Sequence, residues 1–148
     1  MNVLYKTYAS VLGIGYIKGG GSIAAAFYCI IYYVSSLYNM PVLAVSLAVL
    51  VLLTGIGASN ILEAEWGNDS SKIVIDEISG MQIGLLFVSP ELLYVCIAFV
   101  LFRFFDMVKP LYIRKMERFP KGQGVMFDDV LAGIYTNLIL QIIVVVIK

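Results

Sequence analysis

The chain has 148 residues, of which 61% are hydrophobic and 14% are charged, and its mean hydropathy is +0.93. Soluble domains carry about 25% charged residues, so this composition excludes an ordinary soluble protein and predicts a protein embedded in a bilayer. Ten basic residues balance ten acidic ones, so no net positive charge favours nucleic acid. The chain has no histidine, which excludes a histidine nucleophile, a histidine base and histidine-containing metal sites.

Two uncharged apolar segments, residues 23–38 and 42–58, come first in the chain. They are joined by residues 39–41, which end in a proline and suit a tight turn between two helices. We predict that both segments span the membrane. A polar stretch, residues 59–77, follows them, and we expect it to be a loop.

Two shorter apolar segments follow at residues 78–88 and 92–105, divided by residues 89–91. At a rise of about 1.5 Å per residue, each falls short of a hydrocarbon core of about 30 Å. The two segments therefore form either one broken span or a hairpin of two short helices. A last apolar segment, residues 130–147, is long enough to span.

The positions of the basic residues favour the hairpin. Lys6 and Lys18 precede the first span, and the strongest basic cluster, residues 106–121, follows the fourth apolar segment. Cytoplasmic loops carry an excess of Lys and Arg, and only a hairpin places both basic stretches on that side. We therefore predict an all-α fold, a polytopic integral membrane helical bundle with three full spans plus the short helical hairpin. It is a single domain over residues 1–148 in the inner (cytoplasmic) membrane.

In this topology the acidic residues collect on the cytoplasmic face. The hairpin returns the chain to its starting side, so Asp76 and Glu77 at its entrance lie near Asp106 at its exit. Asp128 and Asp129 precede the last span on the same face. Carboxylates without histidine or thiolate are hard oxygen ligands that suit Mg²⁺. A site of this kind predicts metal-assisted hydrolysis of a phosphate ester, in which a spare carboxylate takes a proton.

Basic residues and a glycine tract on the same face are candidates for phosphate binding. Arg103, Asp106 and Lys109 are spaced i, i+3, i+6, which places them along roughly one face of a helix. Arg suits bidentate phosphate contact and Lys acts as a point charge, and Arg114 is a further candidate. The tract Gly19–Ser22 either presents backbone N–H groups to phosphate at a helix N-terminus or forms a flexible entry turn.

The acidic pairs also have a purely structural interpretation. Asp76-Glu77 and Asp128-Asp129 stand where helices are predicted to begin, and negative charge there gains about 0.3–1 kcal/mol from the helix dipole. For either pair alone, the two interpretations carry equal weight. Several acidic pairs on one side favour a site for the set, because like charges within about 4 Å repel by about 1–4 kcal/mol unless a cation offsets them.

Motifs of several phosphatase classes are missing. Six residues separate Cys96 from Arg103, rather than the five of a Cys-x5-Arg phosphate loop, and the haloacid-type Asp-x-Asp motif is absent. Lipid phosphatases of the histidine type are excluded because the chain has no histidine. A CDP-alcohol phosphotransferase would need Asp-x-x-Asp-Gly-x-x-Ala-Arg, which residues 128–133 do not provide.

Three motifs occur in order along the second half of the chain. Residues 73–80 are similar to I-V-x-D-E-x-x-G, residues 102–113 to F-R-x-F-D-x-x-K-P-x-x-I, and residues 122–133 to G-x-G-I-M-x-D-D-x-x-A-G. The set resembles the phosphatidylglycerophosphatase A family, membrane phosphatases that convert phosphatidylglycerophosphate to phosphatidylglycerol. Asp69 stands where that family has an Asp-Pro pair, and residues 17–22 keep only the final Gly-Ser of its P-G-T-x-G-S-like stretch. The resemblance implies Mg²⁺ dependence and an active site that faces the cytoplasm.

The predicted function is Mg²⁺-dependent hydrolysis of a lipid phosphomonoester, foremost phosphatidylglycerophosphate, by a phosphoric monoester hydrolase. The phospholipid substrate lies in the membrane, nucleic acid is not a partner, and homo-oligomerisation is left open. The altered residues 17–22 keep open another headgroup, such as phosphatidylinositol phosphate, and a non-catalytic scaffold or cation-binding transporter is the alternative of a different class. The predicted catalytic residues are Asp76, Glu77, Asp106, Asp128 and Asp129, the metal ligands are Asp76, Glu77, Asp106 and Asp129, and the substrate-binding residues are Arg103, Lys109, Arg114 and Ser22.

Overall fold

The computed structural model describes residues 2–35, 37–67 and 70–147. Within those ranges the chain is helical and contains no strand, which confirms the predicted all-α fold. Short 3₁₀ turns lie at Ile14–Tyr16 and Leu37–Asn39. The α-helices of these ranges are α1 Asn2–Ala9, α2 Gly20–Val34, α3 Pro41–Trp66, α4 Ile75–Leu85, α5 Leu92–Val108, α6 Ile113–Met116 and α7 Gly122–Ile147.

In the described part of the chain, α3 and α7 are long and apolar enough to cross a bilayer, each with 26 residues and a mean hydropathy of 2.4. Only 22% of each apolar window is buried within the bundle, so most of that surface is available to lipid. Helix α2 is apolar but has 15 residues. At about 1.5 Å per residue it reaches about 22 Å, short of a full span. The fold supports membrane association, and the described ranges hold two helices of spanning length rather than the three predicted.

The first predicted span ends earlier than the sequence suggests. The apolar segment 23–38 predicts one helix, but α2 stops at Val34, and Ser35 is extended. The Ser35 N–H donates to the Ile31 carbonyl at 2.9 Å, and its hydroxyl donates to the Tyr32 carbonyl at 3.1 Å. These bonds satisfy carbonyls of the last turn and end the helix.

The predicted helical hairpin is present. Helix α4 covers most of residues 78–88, α5 covers residues 92–105, and residues 89–91 lie between them. Both helices extend past the apolar segments at their polar ends, since α4 begins at Ile75 and α5 ends at Val108. Helix α4 packs against α2, α3, α5 and α7. This packing places its acidic first turn inside the bundle.

Helices extend into two polar stretches of the sequence. Helix α3 continues to Trp66, so residues 59–66 of the first predicted loop are helical, because Ser59 and Leu62 are buried against the bundle. Helix α7 begins at Gly122, so the Asp128-Asp129 pair lies within the helix rather than before it. Helix α1, which the sequence patterns did not indicate, packs against α3.

Candidate active site

A cavity of about 600 Å³ lies where α4 begins and α5 ends. The predicted catalytic carboxylates all line it, although they come from three helices. Arg103, Lys109, the glycine tract before α2 and the loop before α4 complete its walls. The carboxylates are Asp76 and Glu77 from α4, Asp106 from α5, and Asp128 and Asp129 from α7.

Three of these residues, Asp76, Glu77 and Asp129, form a carboxylate triad. Each offers an oxygen atom, and the three oxygens lie within 4.8 Å of one another. Asp129 is 3% exposed and its neighbour Asp128 is 5% exposed. Negative charges gathered away from water are unfavourable unless a cation or a proton offsets them.

Glycine contacts bring α4 and α7 close enough for the triad to form. A Cβ atom at Gly133 would collide with the carbonyl oxygen of Gly80 and would lie 3.0 Å from its carbonyl carbon. A Cβ atom at Gly80 would lie 2.6 Å from the carbonyl oxygen of Asp129 and would collide with the Phe102 ring. The two backbones therefore touch about one turn from Glu77 and Asp129, and this contact sets the separation of the acidic side chains.

Burial controls the charge of the α4 acids. Withdrawal from water raises the pKa of Asp76 well above its ordinary value of 3.8, and the negative charges of Glu77 and Asp129 raise it further. Burial also raises the pKa of Glu77, although a hydrogen bond with Asp76 and the charge of Arg103 oppose the increase. A bound cation would oppose both shifts because it favours the ionised carboxylates.

Arg103 faces the triad from α5. Its Nη1 bonds to Oδ2 of Asp106 one turn later and lies 4.0 Å from Oε1 of Glu77. Its Nε is buried and has no hydrogen-bond partner among the residues described, so the guanidinium keeps donor capacity for an anion. Gly21 of α2 packs against this group, and a Cβ atom there would collide with Glu77 and lie 3.5 Å from Arg103 Nη1.

Lys109, at the end of α5, is held between two carboxylates. Its Nζ donates to Oδ2 of Asp128 and to Oε1 of Glu117, each at 2.6 Å. Burial alone would lower the pKa of Lys109, but these hydrogen bonds outweigh burial and raise it above its ordinary value. The lysine is therefore already paired, and it holds Asp128 in place rather than projecting freely toward a phosphate.

The helix-dipole interpretation applies to one acidic pair only. Asp76 and Glu77 lie in the first turn of α4, where negative charge is favoured. Asp128 and Asp129 lie beyond the first turn of α7 and are buried, so the start of a helix does not account for them. Burial of these two carboxylates requires a neighbouring cation or a proton that offsets their negative charge.

Of the remaining residues that the sequence singled out, one lines the cavity, one lies away from it and one lies outside the described residues. Ser22 lines the cavity in the first turn of α2, just after Gly19, whose φ is +79°. Arg114 does not line the cavity, in contrast to its predicted role, because α6 buries Ile113 and leaves Arg114 exposed. Asp69, which occupies the position of the family's Asp-Pro pair, lies outside the described residues.

Two lysines that the motifs did not identify also line the cavity. Lys18 follows the first 3₁₀ turn and Lys72 precedes α4, and both side chains are exposed. Lys72 stands immediately before the 73–80 motif, and this proximity was the available signal. Lys18 adjoins the glycine tract. Because residues 17–22 depart from the family pattern, no motif indicated a role for Lys18.

The oxygen donors of the triad fit a hard divalent cation. In the described ranges, Oε2 of Glu77 is buried and has no hydrogen-bond partner. A buried acceptor without a partner is unfavourable, and a cation ligated by it removes the deficit. Carboxylate oxygens without histidine or thiolate suit Mg²⁺ better than the softer transition metals.

The sequence matches the family described as Phosphatidylglycerophosphatase A over residues 7–144. A Bacteroides thetaiotaomicron protein with the provisional name phosphatidylinositol-3-phosphatase is 42% identical over 126 residues, which cover 83% of this chain and 79% of that protein. Phosphatidylglycerophosphatase A of Haemophilus influenzae is 43% identical over 74 residues, and that of Escherichia coli is 40% identical over 78. These two alignments cover 49% and 51% of this chain, and 45% of each relative. No solved structure matches the chain.

The match covers the elements that build the cavity. It includes the glycine tract, α4, α5 and most of α7, and therefore the triad, Arg103 and Lys109. The sequence motifs that suggested the resemblance fall within the same range. The chain belongs to the phosphatidylglycerophosphatase A family and is a phosphoric monoester hydrolase of the lipid-phosphatase kind.

Proposed function

We propose that this protein hydrolyses the terminal phosphomonoester of phosphatidylglycerophosphate, in a Mg²⁺-dependent reaction that releases phosphatidylglycerol and inorganic phosphate. The observation that carries the proposal is the convergence of Asp76, Glu77 and Asp129 in a cavity that also presents Arg103. The names of the Haemophilus influenzae and Escherichia coli relatives support the same substrate. A phosphomonoester carries up to two negative charges, which a cation and Arg103 together would offset.

The triad would hold the metal ion, with Asp106 as the further predicted ligand. When bound, Mg²⁺ supplies Lewis-acid stabilisation of negative charge on the phosphoryl oxygens. Glu77 contributes Oε2, which no protein donor occupies within the described residues. Asp106 is paired with Arg103, so a carboxylate near the metal would also orient the guanidinium.

Other side chains of the cavity would bind the phosphoryl group and move the proton. Arg103 would bind phosphoryl oxygens with donors that its pair with Asp106 leaves unused. Asp128 lies outside the triad and would take a proton from the attacking water as the new P–O bond forms and the P–O bond to the headgroup oxygen breaks. The departing headgroup oxygen would then take up this proton and leave as an alcohol. Lys109 donates to Oδ2 of Asp128 at 2.6 Å, and the Asp129 N–H donates to Oδ1 at 3.0 Å, so the base is held firmly.

The apolar surface suggests how the enzyme would sit in the inner membrane. Helices α3 and α7 would cross it, and α2 with the α4–α5 hairpin would complete the bundle. The cavity would face the cytoplasm, because Lys18, Lys72 and Lys109 all line it and basic residues favour that side. A lipid would then present its headgroup to the cavity from the inner leaflet.

A second candidate substrate is a phosphatidylinositol phosphate. The observation that favours it is the Bacteroides thetaiotaomicron relative, whose provisional name refers to phosphatidylinositol 3-phosphate. The segment 17–22, which departs from the family pattern, lines the cavity, where a headgroup would bind. Both lipids carry a phosphomonoester on their headgroup, so the same carboxylates would serve either one.

Phosphate release by the detergent-purified protein tests the proposal. The substrates are phosphatidylglycerophosphate and phosphatidylinositol 3-phosphate, each assayed with Mg²⁺ and with EDTA. Asp129→Asn removes a buried triad carboxylate, and Glu91→Gln, which neutralises an exposed carboxylate in the hairpin connection, is the matched control. We expect Mg²⁺-dependent release from phosphatidylglycerophosphate that falls by about 10²-fold or more in Asp129→Asn and is unchanged in Glu91→Gln.

Each other outcome points to a different correction. Release from phosphatidylinositol 3-phosphate alone would change the proposed substrate to that lipid, and the proposed hydrolysis of a phosphomonoester would stand. Release that EDTA does not reduce would remove the metal from the proposal. Calorimetric Mg²⁺ binding without release from either lipid would favour the scaffold or cation-binding transporter instead.

A further inference from the structure

Lys18 and Lys72 give the cavity two positive charges that the proposed catalysis does not use. Both side chains are exposed at its rim. The cations deeper in the cavity are paired, Arg103 with Asp106 and Lys109 with its two carboxylates. Across the described ranges, neither Lys18 nor Lys72 has a carboxylate within ion-pair distance. The rim can therefore accept a further anion.

The rim that carries these lysines is built from closely packed backbone. Gly15 approaches the carbonyl group of Lys72 so closely that a Cβ atom at Gly15 would collide with it. The Val74 N–H donates to the Ala9 carbonyl at 2.9 Å, which joins the loop before α4 to the end of α1. These contacts fix the backbone of Lys72 relative to the turn that leads to Lys18.

Aromatic residues place this rim at the level of lipid headgroups. The Nζ atom of Lys72 lies 5.6 Å from the ring centroid of Trp66, and Trp66 packs edge-on against Tyr16 with centroids 5.9 Å apart. Trp66 is also the last residue of α3, a helix of spanning length. Trp, Tyr and Lys concentrate where a membrane helix meets water, so the lysines lie where headgroup phosphates would lie.

The two candidate substrates share the anion that this rim would bind. Phosphatidylglycerophosphate and phosphatidylinositol phosphate each carry a phosphomonoester at the end of the headgroup and a phosphodiester that joins the headgroup to the diacylglycerol. The phosphomonoester is assigned to the triad and Arg103. The phosphodiester keeps one negative charge, which the ammonium groups of Lys18 and Lys72 complement.

We propose that Lys18 and Lys72 form a second subsite that binds the phosphodiester of the lipid substrate. The subsite selects lipids whose cleaved phosphate is joined to the membrane anchor through a second phosphate. It rests on the proposed lipid-phosphatase function, but it is independent of which headgroup is hydrolysed. Phosphatidic acid, whose only phosphate is a monoester, lacks this contact and is expected to be a poor substrate.

Trp66 is the sole tryptophan of the chain and reports on the subsite directly. The full chain in neutral detergent is titrated with short-chain phosphatidylglycerol, which has the phosphodiester but no monoester, while Trp66 fluorescence is recorded. Lys18→Gln and Lys72→Gln are each expected to raise the half-saturation concentration about 5-fold, and the double variant about 20-fold. Lys115→Gln is the matched control, because Lys115, on α6, lies over the ring of Tyr112 and does not line the cavity.

Kinetics distinguish a subsite from general attraction to lipid. The double variant is expected to raise KM for phosphatidylglycerophosphate about 10-fold with little change in kcat, and to leave hydrolysis of soluble p-nitrophenyl phosphate unchanged. Unchanged phosphatidylglycerol binding in the double variant, or an equal loss in Lys115→Gln, would overturn the subsite. Displacement of phosphatidylglycerol by an equal concentration of inorganic phosphate would assign the lysines to free phosphate and would also overturn it.

The binding measurement separates this inference from the proposed function. Lysine-dependent phosphatidylglycerol binding, without phosphate release from any lipid, would refute the proposed catalysis and leave the subsite standing. Phosphate release from phosphatidylglycerophosphate that is insensitive to both lysine substitutions would refute the subsite and leave the proposed catalysis standing.

Discussion

Replacing Gly133 by alanine tests whether the backbone contact between α4 and α7 sets the catalytic geometry. The new Cβ would collide with the Gly80 carbonyl oxygen and lie 3.0 and 3.2 Å from the carbonyl carbon and Cα, where ordinary contacts are 3.4–4 Å. All three atoms belong to the backbone, so a change of rotamer cannot relieve the overlap and the helices must separate. Such overpacking costs about 1–3 kcal/mol. A displacement of about 1 Å at the triad would lower the rate by about 10²-fold.

Gly57→Ala is the matched control, because a Cβ atom at Gly57 in α3 would meet no atom of the described residues within 4 Å. Alanine there is expected to be neutral or to stabilise the helix by up to about 1 kcal/mol. The measurements are Mg²⁺-dependent phosphate release and thermal unfolding in detergent, and Gly133→Ala should lower both. Wild-type activity and unfolding temperature in Gly133→Ala would refute the reasoning from backbone contact.

Two further predictions concern buried charge. Lys109→Met leaves Asp128 without its cation and should lower the free energy of unfolding by about 2 kcal/mol, whereas Lys6→Met, at a more exposed ion pair, should change it by less than about 1 kcal/mol. Denaturation in detergent measures both, and equal effects would contradict the role given to Lys109. Folding raises the pKa values of Asp76 and Glu77 above their ordinary values of 3.8 and 4.5. At a pH above these ordinary values, the metal-free folded protein therefore binds more protons than the unfolded chain. Its unfolding temperature in EDTA should therefore fall as the pH rises through that region toward neutrality, and saturating Mg²⁺ should reduce the slope; a rise with pH in EDTA would contradict this prediction.

The hairpin and the gathering of charged residues were predictable because they depend on segment length and on the order of charges along the chain. Residues 78–88 and 92–105 are each too short to span, and the basic residues that follow require a return to the starting side. That return brings Asp76 and Asp106 to one cavity. Neither step needs any knowledge of side-chain packing.

The features that the sequence did not predict depend on packing between helices. The polar composition of residues 59–66 suggested a loop, but the burial of Leu62 extends α3 through them. Gly80 and Gly133 have no signature of helix contact, since glycine at either position suits a turn equally well. Lys109 next to a proline gave no sign of the two carboxylates that hold it. These partners are distant along the chain and meet only in the folded bundle.

The glycine contact and the carboxylate triad impose opposing requirements on α4 and α7. Backbone contact draws Asp129 toward Asp76 and Glu77, whereas like charges about 4 Å apart repel by about 1–4 kcal/mol at effective dielectric constants of about 80 to 20. A cation bound by the triad therefore stabilises the contact between α4 and α7. By linkage, a protein in which this contact is loosened binds the cation less tightly. Mg²⁺ should accordingly raise the unfolding temperature of Gly57→Ala by more than that of Gly133→Ala. Equal shifts would mean that the triad assembles without the glycine contact.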